Sequence, residues 1–330
     1  VIAVPERPAG RLLAALYGPT SSGKTAMSVE IASRLESELG RTVVIISADS
    51  RQVYRYMDIG ASKTRPDQMR GIRHDMLDVA EPARKFELED YARLARRGIT
   101  GALSAGAVPF IVGGTGVYIK ALLDGWALDR VGAVRDSLRR DFPPSMADDA
   151  YAMLRRLDRQ AAARVHPNNY AAVINGLAAR MAADDRTARP EPVGLATVVL
   201  GVDPGPLALA QRVARTYQDQ LDRGLFGEIC DLNDRYRLDG ENRRRGPDRP
   251  NQVLHTHGYR EYFELAAAGG KNVADLTEAE HAEAGTRIVQ HIRRHTARQR
   301  TWFRQLPEVR MVRSPGQGYH LLAQAMLARR

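Results

Sequence analysis

One cysteine, Cys230, stands in a chain of 330 residues. That excludes a disulfide framework and a cysteine-based metal site, and it suits a reducing compartment such as the cytoplasm. No run approaches the roughly 18 apolar residues that a membrane-spanning helix needs, so no membrane span is expected. Residues 1–10 lack the basic start and long apolar core of a signal peptide. No internal repeat is visible. Lysine is scarce: of 49 Lys and Arg, only Lys24, Lys63, Lys85, Lys120 and Lys271 are lysines. The arginine excess gives a net charge of +10, which favours a polyanionic partner. The same skew also arises from coding bias in a GC-rich genome. What is present is an ordinary globular composition, 44% hydrophobic and 27% charged, with room for one large or two ordinary domains.

The most informative stretch is Gly18-Pro19-Thr20-Ser21-Ser22-Gly23-Lys24-Thr25. It follows an apolar run at 12–16 and precedes a helical pattern at 26–39. Strand, glycine-bounded loop and helix, with the spacing G-x-x-x-x-G-K-T, describe a phosphate-binding loop. Its backbone N–H groups can curl around phosphate oxygens, and the helix N-terminus adds partial positive charge. Lys24 then reaches a terminal phosphate, and the Thr25 hydroxyl can sit on Mg²⁺.

The β-branched run 42–48 reads as a second buried parallel strand, and it ends at Asp49-Ser50. Ligands of open α/β sheets lie at the carboxyl ends of strands, so Asp49 and the phosphate loop are expected to share one crevice. Asp49 is read either as a catalytic carboxylate or as a cap or outer magnesium residue. Residues 51–63 read as a loop with a short helix. A short strand is expected at 74–79, a helix at 86–103, and a strand at 108–112 that runs into Gly113-Gly114-Thr115-Gly116. A helix begins at 117.

From 126 to 197 the chain is Ala- and Arg-rich with helical periodicity and no convincing strand. This is expected to be an inserted helical subdomain, left through a Pro-containing segment at 184–193. The sheet resumes at 198–202. Helices follow at 207–223, 226–236 and 279–306. On the last, Arg287, His291, Arg294 and Arg298 form one basic stripe, read equally as a solvated face or a phosphate face. The arginine run Arg243-Arg244-Arg245 with Arg249 reads at least as well as a solvated loop. The expected fold is therefore an α/β, phosphate-loop-type parallel sheet, with a core at 1–125 and 198–330, an inserted helical subdomain at 126–197 and a helical C-terminal part.

Several segments, in order, resemble the tRNA dimethylallyltransferase family. They are the loop at Gly18–Thr25, Asp49-Ser50-Arg51-Gln52-Val53-Tyr54 with Met57-Asp58-Ile59-Gly60, His74-Asp75-Met76-Leu77-Asp78, Val112-Gly113-Gly114-Thr115-Gly116, His166-Pro167-Asn168, Gly258-Tyr259-Arg260-Glu261, and Arg298-Gln299-Arg300-Thr301-Trp302-Phe303-Arg304. The resemblance implies transfer of a dimethylallyl group from its diphosphate to the exocyclic amine of an adenosine beside the anticodon. It implies Mg²⁺ as cofactor, tRNA as partner, a cytoplasmic location and a monomer. In this picture Gly18, Pro19, Thr20, Ser21, Ser22, Gly23, Lys24, Thr25 and Arg260 hold the diphosphate. Asp49 is the base, with Thr20 and Lys24 as further catalytic groups and Thr25 on the metal. Asp49, Ser50, Arg51, Gln52, Thr115, Arg135, His255 and Arg260 face the acceptor.

The chain departs from the family pattern on the acceptor side. Residues 170–176 carry no basic side chain, His255 stands where Gln or Arg is common, His257 where an apolar residue is usual, and Tyr56 where Gly precedes Met-Asp-Ile-Gly. These departures keep open a second reading, the same prenyl donor with a small-molecule acceptor such as an adenine nucleotide or another aromatic amine. A small-molecule kinase using the loop for ATP is a third, disfavoured by the Gly-Gly-Thr block and the long insert.

Overall fold

A computed structural model describes residues 12–123, 128–184, 195–242, 251–303 and 308–328. Arg243, Arg244, Arg245, Arg249 and Arg304, and most of the 184–193 segment, lie outside the described residues. By its internal contacts the chain divides into two compact units. One comprises Val1–Phe86, Leu94–Lys120 and Leu195–Arg330, the other Glu87–Arg93 and Ala121–Gly194.

The first unit is built on a six-stranded parallel sheet. Its strands are β1 (Leu12–Tyr17), β2 (Val43–Ala48), β3 (Arg73–Asp75), β4 (Val108–Gly113), β5 (Ala196–Gly201) and β6 (Arg310–Met311), in the order β3-β2-β4-β1-β5-β6. β1, β2 and β4 are buried along their whole length. Strands covered on both faces read as continuous apolar runs, which is why these three are plain in the sequence. β2, β4 and β1 are neighbours, with Ala48 level with Gly113 and Gly113 level with Tyr17. Their carboxyl ends therefore deliver Asp49, Gly114-Thr115 and Gly18 side by side.

One apolar core packs Leu16, Ile45, Phe110 and Leu200 of the sheet against Ile31 and Leu35 of the helix Lys24–Leu39 and Leu322 and Met326 of the helix Pro315–Leu327. A second core joins the helices Pro206–Asp222, Leu225–Tyr236, Arg260–Ala268 and Glu278–Phe303 to Val53, Tyr54 and Met57. The helices Arg260–Ala268 and Pro315–Leu327 have no counterpart in the sequence reading. Two other expectations are corrected. Residues 51–63 hold no helix; they form turns, pinned by a bridge between Tyr54 and Ala80. β3 ends at Asp75 rather than near 79, because Met76 (φ 70°) and Asp78 (φ 55°) turn left-handed and leave the extended region.

The second unit contains the helices Leu128–Asp141, Ala147–Leu157, Arg159–Ala163 and Tyr170–Asp184. Leu138, Leu154, Val173, Ile174 and Leu177 form its core. Asp158 caps the third of these helices by accepting the Ala161 N–H at 2.8 Å. Among the described residues, no helix is long and apolar enough to cross a membrane.

Candidate active site

The phosphate loop spans the gap between Tyr17 and Lys24. Ser21 (φ 61°) and Gly23 (φ 89°) are both left-handed, the kind of backbone that can turn N–H groups into an anion-binding concavity, although the Ser22 N–H itself donates to the Pro19 carbonyl at 3.1 Å. A Cβ on Gly18 would stand 2.6 Å from both Ser22 Oγ and the Val202 side chain, so only glycine lets the loop close here. The Ser22 hydroxyl is buried with no protein partner, and the first N–H groups of the following helix have no intrahelical acceptor. Arg212 braces the loop from behind by donating to the Ser22 carbonyl at 2.7 Å. These are the features of a cradle for phosphate oxygens.

Asp49 follows β2, and its carboxylate accepts the Arg51 N–H at 2.9 Å. Thr115 locks the neighbouring turn to it: the Thr115 N–H donates to the Ala48 carbonyl at 3.0 Å, and its hydroxyl accepts the Ser50 N–H at 2.9 Å. A Cβ on Gly113 would lie 2.1 Å from the Ala48 carbonyl oxygen, so this close pass of two strand ends requires glycine. Gln299, on the long helix Glu278–Phe303, joins the two loops. Its amide oxygen accepts the Thr20 N–H at 2.9 Å and its amide nitrogen donates to the Gly114 carbonyl at 2.8 Å. Lys24, Thr25, Asp49 and Gln52 line one small pocket beneath the loop. Burial of the Lys24 ammonium pushes its pKa below the usual lysine value, with the Asp49 charge acting in the opposite sense.

Above that pocket opens a cleft of about 320 Å³. Thr20, Ser21, Asp49, Ser50, Arg51 and Thr115 line its floor, and His255, His257, His295, Arg298 and Gln299 line one wall. The Gly60-Ala61-Ser62 loop, Thr216, Tyr217 and Gln220 are also part of the lining. That loop is held by side chains from far along the chain. The Glu228 carboxylate accepts the N–H groups of Asp58 (2.8 Å), Ile59 (2.7 Å) and Gly60 (3.0 Å), together with the Tyr259 hydroxyl (2.8 Å). The Gln220 amide donates to the Ile59 and Gly60 carbonyls at 3.0 and 3.1 Å. At the cleft, burial first and then the nearby His257 push the His295 pKa down to about 4, so the ring is neutral at pH 7.

The expected residues thus separate into groups. Thr20, Ser21, Asp49, Ser50, Arg51, Thr115 and His255 meet in the cleft, while Lys24, Thr25 and Gln52 meet in the small pocket that shares Asp49. Gly18, Ser22 and Gly23 shape the loop, and Pro19 looks to another cavity, beside Tyr17 and Arg300. Arg260 is not among the lining residues; it pairs with Glu264 at 3.2 Å. Arg135 belongs to the second unit, where its guanidinium grips Glu89 at 2.9 Å. Of the basic stripe, Arg298 reaches the cleft, whereas Arg287 is tied to Glu283 one turn away. Tyr56 occupies its expected glycine position with a left-handed φ of 65°, its ring covered by the Arg235 guanidinium at 4.0 Å. Gln299, Glu228, Gln220, Arg212 and His295 were not picked out as site residues. Helical spacing from Arg298 marks the face of the long helix, but it does not say which strand ends that face meets.

Known proteins resemble this chain along most of its length. The IPP transferase family profile matches residues 52–306, and an isopentenyl transferase profile matches residues 12–83. The chain is 35% identical over 323 residues to the tRNA dimethylallyltransferase of Koribacter versatilis, covering 96% of this chain and 97% of that one. It is 34% identical to the tRNA dimethylallyltransferase of Roseiflexus sp., covering 90% and 91%. Its structure is similar to the crystal structure of full-length tRNA isopentenylpyrophosphate transferase from Bacillus halodurans, with a TM-score of 0.64 at 28% identity, over 97% of this chain and 98% of that chain.

Proposed function

The chain belongs to the tRNA dimethylallyltransferase family, and on that premise we propose how its residues carry out the transfer. The reaction moves a dimethylallyl group from dimethylallyl diphosphate to the exocyclic amine of an adenosine beside the anticodon of tRNA. The observation that carries the reading is the shared position of Asp49, between the phosphate-loop pocket and the open cleft. The diphosphate lies in the loop, against the inward N–H groups and Lys24. The adenine lies in the cleft, between the 60–62 loop and the His255–Arg298 wall. The bond from the allylic carbon to the diphosphate oxygen breaks as the carbon–nitrogen bond forms. Charge then grows on the leaving diphosphate, where Lys24, Thr20 and the loop N–H groups stabilise it. The amine loses a proton as it becomes bonded to carbon, and Asp49 is placed to accept it.

Thr25, Asp49 and Gln52 bring oxygen donors together beside Lys24, the donor class that Mg²⁺ prefers. Bound there, the ion would neutralise part of the diphosphate charge. The cleft has the cations an RNA strand requires, in Arg51 and Arg298, and an adenine in a folded anticodon loop must be flipped outward to enter it. The single cysteine and a tRNA substrate are in keeping with work in the cytoplasm.

The test is an acceptor screen. Dimethylallyl diphosphate and Mg²⁺ are supplied with unmodified tRNA, with free adenine nucleotides, or with neither, and product masses are read. Prenylated tRNA is the expected product, with a yield that falls steeply as salt rises. Equal, salt-insensitive prenylation of free nucleotide would move the acceptor to a small molecule, and phosphate transfer from ATP would make the loop a kinase site.

A further inference from the structure

His257, one of the residues read as departing from the family pattern, does not stand alone. His257, at the cleft wall, sits one turn before Glu261, and His291 comes from the long helix. Glu261 is fully buried. One of its carboxylate oxygens is anchored by the Gly258 N–H at 2.9 Å. The other, Oε1, faces His257 Nδ1 at 2.8 Å and His291 Nδ1 at 2.7 Å. The three potential ligand atoms lie within 4.8 Å of one another, the one such cluster among the described residues. Two imidazoles and one carboxylate are a recurrent metal-binding set.

We propose that His257, Glu261 and His291 bind a divalent transition-metal ion, fastening the cleft wall at 255–257 to the long helix that carries Arg298 and Gln299. The donor set is borderline-soft, suited to Zn²⁺ and its neighbours and unsuited to Mg²⁺. It is therefore separate in chemistry from the oxygen donors beneath the phosphate loop. With ligand bonds of about 2.0–2.2 Å, a tetrahedral site needs donor separations of roughly 3.3–3.5 Å, so the cluster must open by about half an ångström. That opening exchanges the protons between the imidazoles and the carboxylate for the metal ion. One neighbour has to give way. Arg260 Nη2 lies 3.3 Å from His291 Nδ1 and 3.8 Å from Glu261 Oε1, but the same guanidinium pairs through Nε with Glu264 at 3.2 Å and is partly exposed, so it has a second partner to move to. His257 lines the cleft, which gives the ion an entry path.

The probe is Zn²⁺ alone, with metal-stripped full-length chain dialysed against it in the presence of excess Mg²⁺ and bound zinc measured by elemental analysis. One zinc per chain is expected, with affinity reduced about tenfold or more in His257→Ala and in His291→Ala. His281→Ala removes a histidine of the same helix that packs on Phe226, and it is expected to bind normally. Zinc-edge X-ray absorption of the wild-type chain reads the ligands directly and is expected to show two imidazoles, which keeps the test decisive if a variant fails to fold. Substoichiometric zinc, displacement by Mg²⁺, fewer than two imidazoles, or undiminished binding in both folded variants would overturn the site.

Discussion

The two sides of the candidate site are built in different ways. The diphosphate side is made of backbone: eight consecutive residues, two of them left-handed, and a glycine turn pressed against a neighbouring strand. The acceptor side is made of side chains brought from distant helices. Gln220 reaches the 59–62 loop across some 160 positions, and Gln299 reaches Thr20 across 279. A backbone cradle tolerates little substitution and leaves a compact mark in the sequence. A wall of side chains can change one residue at a time, and His255 and His257, two of the residues read as departures from the family pattern, belong to it. Asp49 belongs to both sides.

Removing Asp49 should have the largest effect. Asp49→Ala is expected to keep its fold and lose about 10²–10⁴-fold in turnover, the usual contribution of a positioned base. Near-normal turnover in a single-turnover assay would leave the junction without its chemistry. Next comes Glu228→Gln. The charge that three N–H groups and a tyrosine share is lost, so a stability loss of about 2–3 kcal/mol is expected. The acceptor KM should rise while donor affinity holds. Urea melts and separate donor titrations check this, and weakened donor binding would mean that the two sides are not independent.

Gln299→Ala should act on both sides at once, because the amide ties the phosphate loop to the Gly114 turn. A loss of about 1–3 kcal/mol in stability is expected for two neutral hydrogen bonds. Both KM values should rise together; a change in the acceptor KM alone would confine Gln299 to the cleft wall. The smallest expected effect is in pH dependence. Burial lowers the pKa of His74, which lines the small pocket, against the opposing influence of the Ile72 carbonyl and Asp75. The unfolded chain therefore holds this proton more readily. Stability from His74 is complete above its unfolded value near 6.5 and declines as pH falls through that value toward the lower folded one. His74→Gln should flatten that decline in thermal melts between pH 7 and 5, and an unchanged slope would assign it to other groups.

The phosphate loop was legible because its chemistry is local. Glycine spacing, the lysine and the flanking strand and helix all fall within one window. Asp49 and the Gly113–Thr115 turn were legible because each ends a buried apolar strand. Glu228 was not, because a carboxylate in the first turn of an amphipathic helix looks like an ordinary solvated residue favoured by the helix dipole until the 58–60 loop is folded against it. The helix Pro315–Leu327 escaped notice for a related reason. Its start is marked by Ser314, which caps the Gln317 N–H at 3.3 Å, but its burial depends on a helix almost 300 residues earlier.

By itself the sequence determined the buried strands β1, β2 and β4, the phosphate loop and the family, since these rest on apolar runs, glycine geometry and motif order along one stretch of chain, whereas the short edge strand β6 left no mark in it. Only the tertiary structure decided that β2, β4 and β1 are neighbours, so that Asp49, Thr115 and Thr20 meet. It also decided that Gln299 bridges two loops, that Arg260 turns to Glu264, and that His257 and His291 share one carboxylate. Strand order and helix packing are set by the burial of whole faces against each other, a non-local balance that no single segment records.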